Sequence, residues 1–419
     1  MDIITCTYFI LGVNTMKLTN LSLVVISLLS LNNTAVADSS NISILNNPSF
    51  QGDLRTRYEN ADVVDNGVSA GNALTTRFDL SGKADVAGIE GLSTFGQMMA
   101  VSNFGFNNYA PENSSYDLVA DPANARITQA YLDYKIGATL LRIGRQMVNL
   151  DDQRFVGAVD WRQMPQTFLA YTLVDKSIEN FTFTGAYVTK RYGVTDNLSG
   201  DTNTVLLNAN YKVSPALKLT GYDYLISSSS DTYGVMASGK VDTIKYLAEI
   251  AQQKDASLKT KNGIKPTVDA LYYRGDVSTN YNGLIAGVAY ESLGKANGKN
   301  HGFTAPLSTL HKWQGFADAF LGYTAVTNTY GLNDASIKVG YADKKIGKII
   351  ATYHDFEAQE ATAGTSKDAG SELDFLYVKP VSKNLKLLGK VALFNADSNS
   401  VTGATQDINK YMVQLDYKF

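Results

Sequence analysis

The last nine residues constrain this chain more than any other stretch. In Tyr411-Met412-Val413-Gln414-Leu415-Asp416-Tyr417-Lys418-Phe419 the odd positions read Tyr, Val, Leu, Tyr, Phe and the even positions Met, Gln, Asp, Lys. Successive side chains on a strand point to opposite faces, so this segment has one apolar face and one mostly polar face. The pattern returns upstream. Val205, Leu207, Ala209, Tyr211 and Val213 alternate with Leu206, Asn208, Asn210 and Lys212. Phe78, Leu80, Gly82 and Ala84 oppose Arg77, Asp79, Ser81 and Lys83. Ala335, Ile337, Val339 and Tyr341 oppose Asp334, Ser336 and Lys338, and Leu385, Leu387, Gly389 and Val391 oppose Lys386, Leu388 and Lys390. Each run has about the 9–11 residues that a tilted strand needs to cross a bilayer.

The amino terminus reads as an export signal. Lys17 precedes the apolar run Leu21–Leu31, and Ala35-Val36-Ala37 precedes Asp38. A positive region, a short apolar core and an A-x-A site are the parts of a secretory signal peptide. The expected division is a signal peptide over 1–37 and a mature domain over 38–419. Residues 1–15 fit a signal poorly, which places the expected translation start at Met16. The one cysteine, Cys6, lies in that stretch. The mature chain is therefore expected to hold no disulfide, no thiol nucleophile and no cysteine-bound metal. His301, His311 and His354 are the only histidines, a thin supply for metal or acid–base chemistry. No cofactor or metal is expected. A net charge of -3 without a basic tail gives no reason to expect nucleic acid as a partner.

The links between alternating runs supply a second regularity. Short links fall at 136–138, 213–216, 241, 342–345 and 381–383. Long polar links fall at 61–71, 105–124, 149–164, 191–202, 253–266, 293–330, 358–369 and 396–407. Alternating short and long connections are those of an up-and-down barrel with short periplasmic turns and long outer loops. The expected strands lie near 50–60, 72–86, 91–104, 125–136, 139–148, 165–174, 177–190, 203–213, 216–226, 231–240, 242–252, 267–276, 280–292, 331–342, 346–357, 370–380, 384–395 and 408–419. Composition agrees: 18% charged residues, 25 Tyr and 17 Phe against 8 Pro suit strands better than helices. Inside lipid every backbone N–H and C=O needs an internal partner, so such a sheet must close on itself. The fold class is thus an all-β, transmembrane, antiparallel up-and-down β-barrel of about 18 strands, in the outer membrane of a Gram-negative-type cell. A barrel of that size leaves an aqueous lumen. Passage of small hydrophilic solutes is the expected function, with no enzymatic activity. Outer-membrane lipid and the barrel-assembly machinery, which would read the terminal strand ending in Phe419, are the expected partners of a monomer.

Two of the long links carry apolar anchors among charges and are expected to fold inward and narrow the lumen. One holds Asp151, Asp152, Arg154, Asp160 and Arg162 beside Phe155, Val156, Val159 and Trp161. The other contains Leu310-His311-Lys312-Trp313-Gln314-Gly315-Phe316-Ala317-Asp318-Ala319-Phe320-Leu321. Gly144-Arg145-Gln146, Asp152, Arg154-Phe155-Val156-Gly157, Asp160-Trp161 and Thr167-Phe168 together resemble a signature of the alginate-export family of outer-membrane porins. Leu169 stands where that family often has an acid. The resemblance implies an eighteen-strand monomeric barrel with a charged constriction; it does not imply alginate as the solute.

The candidate constriction residues are Arg142, Arg145, Asp152, Arg154, Asp160, Arg162 and Lys312. By alternation Arg55, Arg57, Arg77 and Lys83 line the lumen wall, as do Asp53, Glu59, Asp79 and Asp133. Arg145 falls on the lipid-facing parity of its strand, so a bulge or the membrane edge is expected there. Guanidinium groups bind oxyanions in a planar, two-pronged way, and Arg142, Arg154 and Arg162 are candidates for favouring anionic solutes. The competing reading is that they pair with nearby acids and only set structure. Two further alternatives are a structural or adhesive barrel with an occluded lumen, and a barrel hydrolase built on Asp151-Asp152 or His354.

Overall fold

The computed structural model describes residues 44–195, 199–258 and 267–419. The expected signal peptide, the expected start at Met16 and Cys6 lie outside the described residues. Within them the chain forms β1 (Leu45–Val63), β2 (Gly71–Val86), β3 (Leu92–Ser102), β4 (Asn124–Ile136), β5 (Thr139–Gln146), β6 (Thr167–Asp175), β7 (Phe181–Tyr192), β8 (Ser199–Ser214) and β9 (Leu217–Ile226). It continues with β10 (Ser230–Val241), β11 (Ile244–Asp255), β12 (Asp269–Tyr281), β13 (Leu284–Leu293), β14 (Leu332–Asp343), β15 (Gly347–Glu357), β16 (Asp368–Pro380), β17 (Leu385–Asn395) and β18 (Ile408–Lys418). Each strand pairs antiparallel with its neighbours in sequence, and β18 closes on β1 in an unbroken register from Asp53 opposite Lys418 to Val63 opposite Ile408. Phe419 is stitched into the seam by two backbone hydrogen bonds of 3.0 Å with Gly52. Its ring lies over Gly52, where any side chain would collide with it.

Burial is inverted relative to a soluble protein. Leu54, Tyr58, Leu132, Ile143, Val235, Ile337, Val413 and Leu415 are exposed on the outer face. Tyrosines mark both edges of that belt: Tyr58, Tyr171, Tyr233, Tyr353 and Tyr411 toward the long loops, Tyr134, Tyr211, Tyr281, Tyr341 and Tyr417 toward the short turns. Amphipathic rings at both interfaces flanking an apolar band are the outer dress of a barrel in an outer membrane. The short-turn end, which carries both ends of the barrel chain, is the periplasmic end by the same rule.

Two turns differ from the sequence expectation: the link expected at Val241 is strand paired with Ile244, the reversal falling at 242–243, and a second turn moves further. The gap expected at 277–279 is continuous strand, and the chain reverses instead between Tyr281 and Leu284. Asn282 and Gly283 have φ of 49° and 87°, the left-handed pair that a tight hairpin demands and that Asn-Gly supplies readily.

Candidate functional site: the narrowed lumen

Both long links fold into the barrel. The first (147–166) and second (294–331) meet through a short parallel bridge of Val156 and Leu307, with Gly157 N–H donating to Leu307 O at 2.9 Å. Trp161 of the first lies flat on His311 of the second, their rings 3.4 Å apart. A third segment, the 103–123 link, adds Asp121 from the outer side. Its entry into the lumen was not legible in the sequence.

One wall is sealed by apolar packing. Phe155 enters a nest of Tyr222, Tyr224, Tyr272 and Phe303, with ring separations of 5.0–6.5 Å. Val148, Leu150, Leu206, Leu293 and Leu307 complete a cluster that resembles the core of a soluble domain. It covers inner faces from β6 to β13. The second loop has its own anchor, Phe320, wedged edge-on against Phe356 and Phe394 at 4.8 and 5.6 Å.

The opposite wall is ionic. Arg162 Nη1 donates to both Glu59 oxygens at 3.0 Å and lies 3.5 Å from Asp121. Arg57 reaches Asp121 at 3.0 Å and donates to Gln414 and to the Trp161 carbonyl. Arg55 holds Asp416 at 2.8 Å and the carbonyls of Asp160, Trp161 and Arg162. Arg77 pairs with Asp53. Burial disfavours the Asp121 carboxylate, but Arg162 and Arg57 outweigh it and hold its pKa below the usual carboxylate range. Next to this network, His311 Nδ1 lies 2.9 Å from Asp318 and its Nε2 lies 2.7 Å from Lys390 Nζ. An ammonium has only donors, so Nε2 accepts and Nδ1–H donates to Asp318. Burial keeps this imidazole well below its ordinary pKa; Asp318 opposes that shift and Lys390 adds to it. Asp318 is also held by Lys410 at 2.7 Å.

The second loop is tied down by two wall carboxylates. Gly315 (φ +81°) passes so close to Glu372 that no side chain fits. Phe316 N–H then donates to Asp374 at 3.0 Å and Ala317 N–H to Glu372 at 2.7 Å. Between residues 312–316 and the wall remains a cavity of about 210 Å³, lined by Asp276, Glu291, Trp313, Phe316, Lys338 and His354 among others.

The candidate residues fall into three groups. Arg154, Asp152, Arg162, Asp160 and Lys312 do meet where the loops cross the lumen. Arg154 pairs with Glu291 at 2.5 Å, Asp152 with Arg274 at 2.5 Å, and Lys312 donates to the Asp152 carbonyl. The Asp160 side chain is exposed. Arg142 is on the wall near the short-turn end, bidentate to Asp133 at 2.6 and 2.9 Å and stacked on Tyr131, away from the loop crossing. Lys83 is likewise on the inner parity near that end and exposed. Arg145 is no constriction residue. It shares its register with Ala130 and Leu169 on the outward face and stacks over Tyr192 at 3.9 Å. Its own strand is not bulged; it ends one residue later, at Gln146, so this arginine sits at the rim of the belt.

Arg142, Arg154 and Arg162 are therefore all paired with acids. The pairing partners Glu291, Asp318, Glu372, Asp374, Lys390 and Lys410 were missed as site residues. Strand alternation places the wall members on the inner face, but no local signal says which loop reaches them.

A closed eighteen-strand sheet with a lipid-facing belt, an ionic inner wall and inward loops is an outer-membrane β-barrel of the porin type. Residues 47–190, from β1 into β7, match the family model described as "Alginate export". The whole barrel is similar to several solved structures. OccAB3 of Acinetobacter baumannii superposes with a TM-score of 0.68 at 16% identity, covering 89% of this chain and 99% of that one. OccK3 (OpdO) of Pseudomonas aeruginosa gives 0.65 at 13% identity, over 89% and 95%. A BenF-like porin from Pseudomonas fluorescens gives 0.65 at 16% identity, over 90% and 100%. At these identities the likeness is one of fold. No curated protein matches the sequence.

Proposed function

We propose that this chain is a channel of the outer membrane that passes small hydrophilic solutes along the ionic side of its lumen. The carrying observation is the asymmetry of the filling: apolar packing covers inner faces from β6 to β13, charged side chains crowd the inner faces of β17, β18, β1 and β2, and the 210 Å³ cavity lies between the two, against β12–β16. Solutes that carry their own hydrogen-bonding groups can exchange water for these side chains; apolar plugs offer no such exchange. On the ionic wall Arg55, Arg57, Arg77, Arg162, Lys386, Lys390 and Lys410 face Asp53, Glu59, Asp79, Asp121, Asp318 and Asp416, seven cations against six acids. The anion preference expected of Arg154 and Arg162 is accordingly weak, because both are already neutralised. The test is the reversal potential across a salt gradient, with Arg154→Ala and Arg162→Ala beside the parent. An unchanged permeability ratio in both variants removes these arginines from selectivity.

One observation favours a second reading, a barrel closed at rest: the loops hydrogen-bond to wall strands from β1 to β18. Silent bilayers containing folded protein would select it. The histidines that a hydrolase would use are engaged in structure, His354 with Asp334 at 2.9 Å and His311 with Asp318; we infer no enzymatic role. Recognition of the Phe419 strand by the assembly machinery and the monomeric state are part of the same proposal.

A further inference from the structure

Three register rows cross the outer face of β12–β15. The lowest sets Val277, Val288, Ile337 and Tyr353 side by side, the next Gly275, Tyr290 and Ala335, and the third, nearest the long loops, Tyr273, Ser292, Asn333 and Glu357. Successive rows are about 7 Å apart along the strands. Gly275 and Ala335 leave the sheet bare beside the larger side chains of the lowest row, and the groove over them holds about 470 Å³. Its walls are aliphatic and aromatic, and Tyr290 stacks on Tyr273 of the row above at 6.0 Å. At the third row a second hollow of about 390 Å³ opens over Leu271 and Tyr273, and its rim is polar: Asn333, Glu357, Gln359 and Lys367. One strip of the outer wall thus turns from apolar to polar within one row, at the loop-side end of the lipid-facing belt.

A groove left unfilled forfeits dispersion contacts along its lining, and water does not repay them on an apolar surface. The occupant that fits both hollows is one molecule with a hydrocarbon tail and a hydrogen-bonding head. We infer that this strip is a binding site for lipopolysaccharide, the phosphorylated glycolipid of the outer leaflet, with an acyl chain along Gly275 and Ala335 and the sugar head against the polar hollow. Carboxamide and carboxylate side chains suit sugar hydroxyls, because together they offer donors and acceptors, and Lys367 brings a point charge to a phosphate. The short turns are periplasmic, so the polar hollow at the long-loop end meets the outer leaflet. A second copy of the barrel presents a convex wall, which does not reach the floor at Gly275. The inference concerns the outer wall; it goes beyond conduction through the lumen and does not depend on it.

The test is native mass spectrometry of the full-length protein in non-ionic detergent, titrated with diphosphoryl lipid A and, separately, with phosphatidylethanolamine. The barrel is expected to retain lipid A at least about tenfold more tightly than the phospholipid. The combined variant Gly275→Leu, Ala335→Leu fills the groove and is expected to lose about tenfold in lipid A affinity. A Cβ at 275 meets nothing nearer than 3.9 Å, and both side chains face lipid, so the melting temperature should not drop. The control Ala209→Leu, Gly221→Leu adds the same bulk to the outer face of β8 and β9, where a Cβ at 221 meets nothing within 4 Å, and should bind as the parent does. Lys367→Gln, which leaves the groove intact, should lose about threefold, in line with one exposed charge contact. Equal retention of the two lipids by the parent, or equal loss in the filled-groove and control variants, means ordinary annular lipid and overturns the site. A dimer that disappears when the groove is filled would assign it to a second copy and overturn it as well. None of these outcomes bears on whether the barrel conducts, which bilayer recordings decide separately.

Discussion

Phe155 and Arg162 belong to one inward loop, yet they meet opposite walls. Phe155 is gripped by rings from β9, β12 and the second loop. Arg162 is gripped by carboxylates from β1 and from two loops. The first contact is non-directional and gains by excluding water. The second survives burial only while every charge keeps its partner. The inward loop is thus held by exclusion of water on one side and by matched charges on the other.

Breaking the ionic side should have the largest effect. Arg162→Met leaves Glu59 and Asp121 buried with one cation fewer, a loss of about 3–5 kcal/mol by the usual cost of halving a buried pair. The barrel seam does not involve this residue, so the expected outcome is a folded barrel whose 147–166 loop is cut by protease and whose conductance is higher and noisier. Unchanged protease resistance would mean that the apolar side alone holds the loop.

Phe155→Ala attacks the other side. A cavity in a packed cluster costs about 3–5 kcal/mol at most, less where neighbours collapse inward. Its loosening of the loop should be insensitive to salt, whereas that of Arg162→Met should grow or shrink as ionic strength is varied, to the extent that the network remains wetted. Proteolysis rates at two salt concentrations separate the two variants.

A smaller, pH-dependent effect is expected at His311. In solvent an imidazole titrates near 6.5. Between Asp318 and Lys390 it is held well below that value, chiefly by burial. The latched state thus binds fewer protons than the released state below about 6.5. Latch stability is full above that pH and falls as pH drops, by up to about 1.4 kcal/mol per unit. Channel flicker should increase between pH 7.5 and 5 in the parent. In His311→Gln, which removes the imidazole and leaves Asp318 and Lys390, the pH dependence should be reduced; a parent-like response would place the titrating group elsewhere.

Arg145→Gln should do least. This side chain faces outward beneath Tyr192, so conductance and ion selectivity are expected to match the parent within error in bilayer recordings. A shift in selectivity would put Arg145 inside the lumen after all.

The barrel itself was legible because its physics is local. Period-two alternation, bounded length and the short-long rhythm of links are all printed along the chain, and each expected strand has its counterpart. The 281–284 turn was displaced because the alternation of β12 carries on through Val277 and Thr279 with no break, while the Asn282-Gly283 signal went unused. The inner wall was legible for the same reason: parity put Arg55, Arg57, Arg77 and Glu59 inside. It also put Arg145 outside, in conflict with its family motif, and the fold sides with parity. The constriction was only half legible. Apolar anchors such as Phe155 and Trp161 announced that the loop turns inward, but Glu291, which holds Arg154, and Glu59, which holds Arg162, lie more than a hundred positions away in sequence, and Asp121 lies 41 away. Such encounters follow from closure of the barrel, which no local pattern encodes.

The central claim, that solutes pass on the ionic side, is tested most directly by single-channel recording of the refolded protein in planar bilayers under a salt gradient. The account predicts discrete conductance steps with a reversal potential displaced modestly toward anions. Silence from protein that is demonstrably folded and inserted would contradict it and leave a barrel whose loops close the lumen altogether.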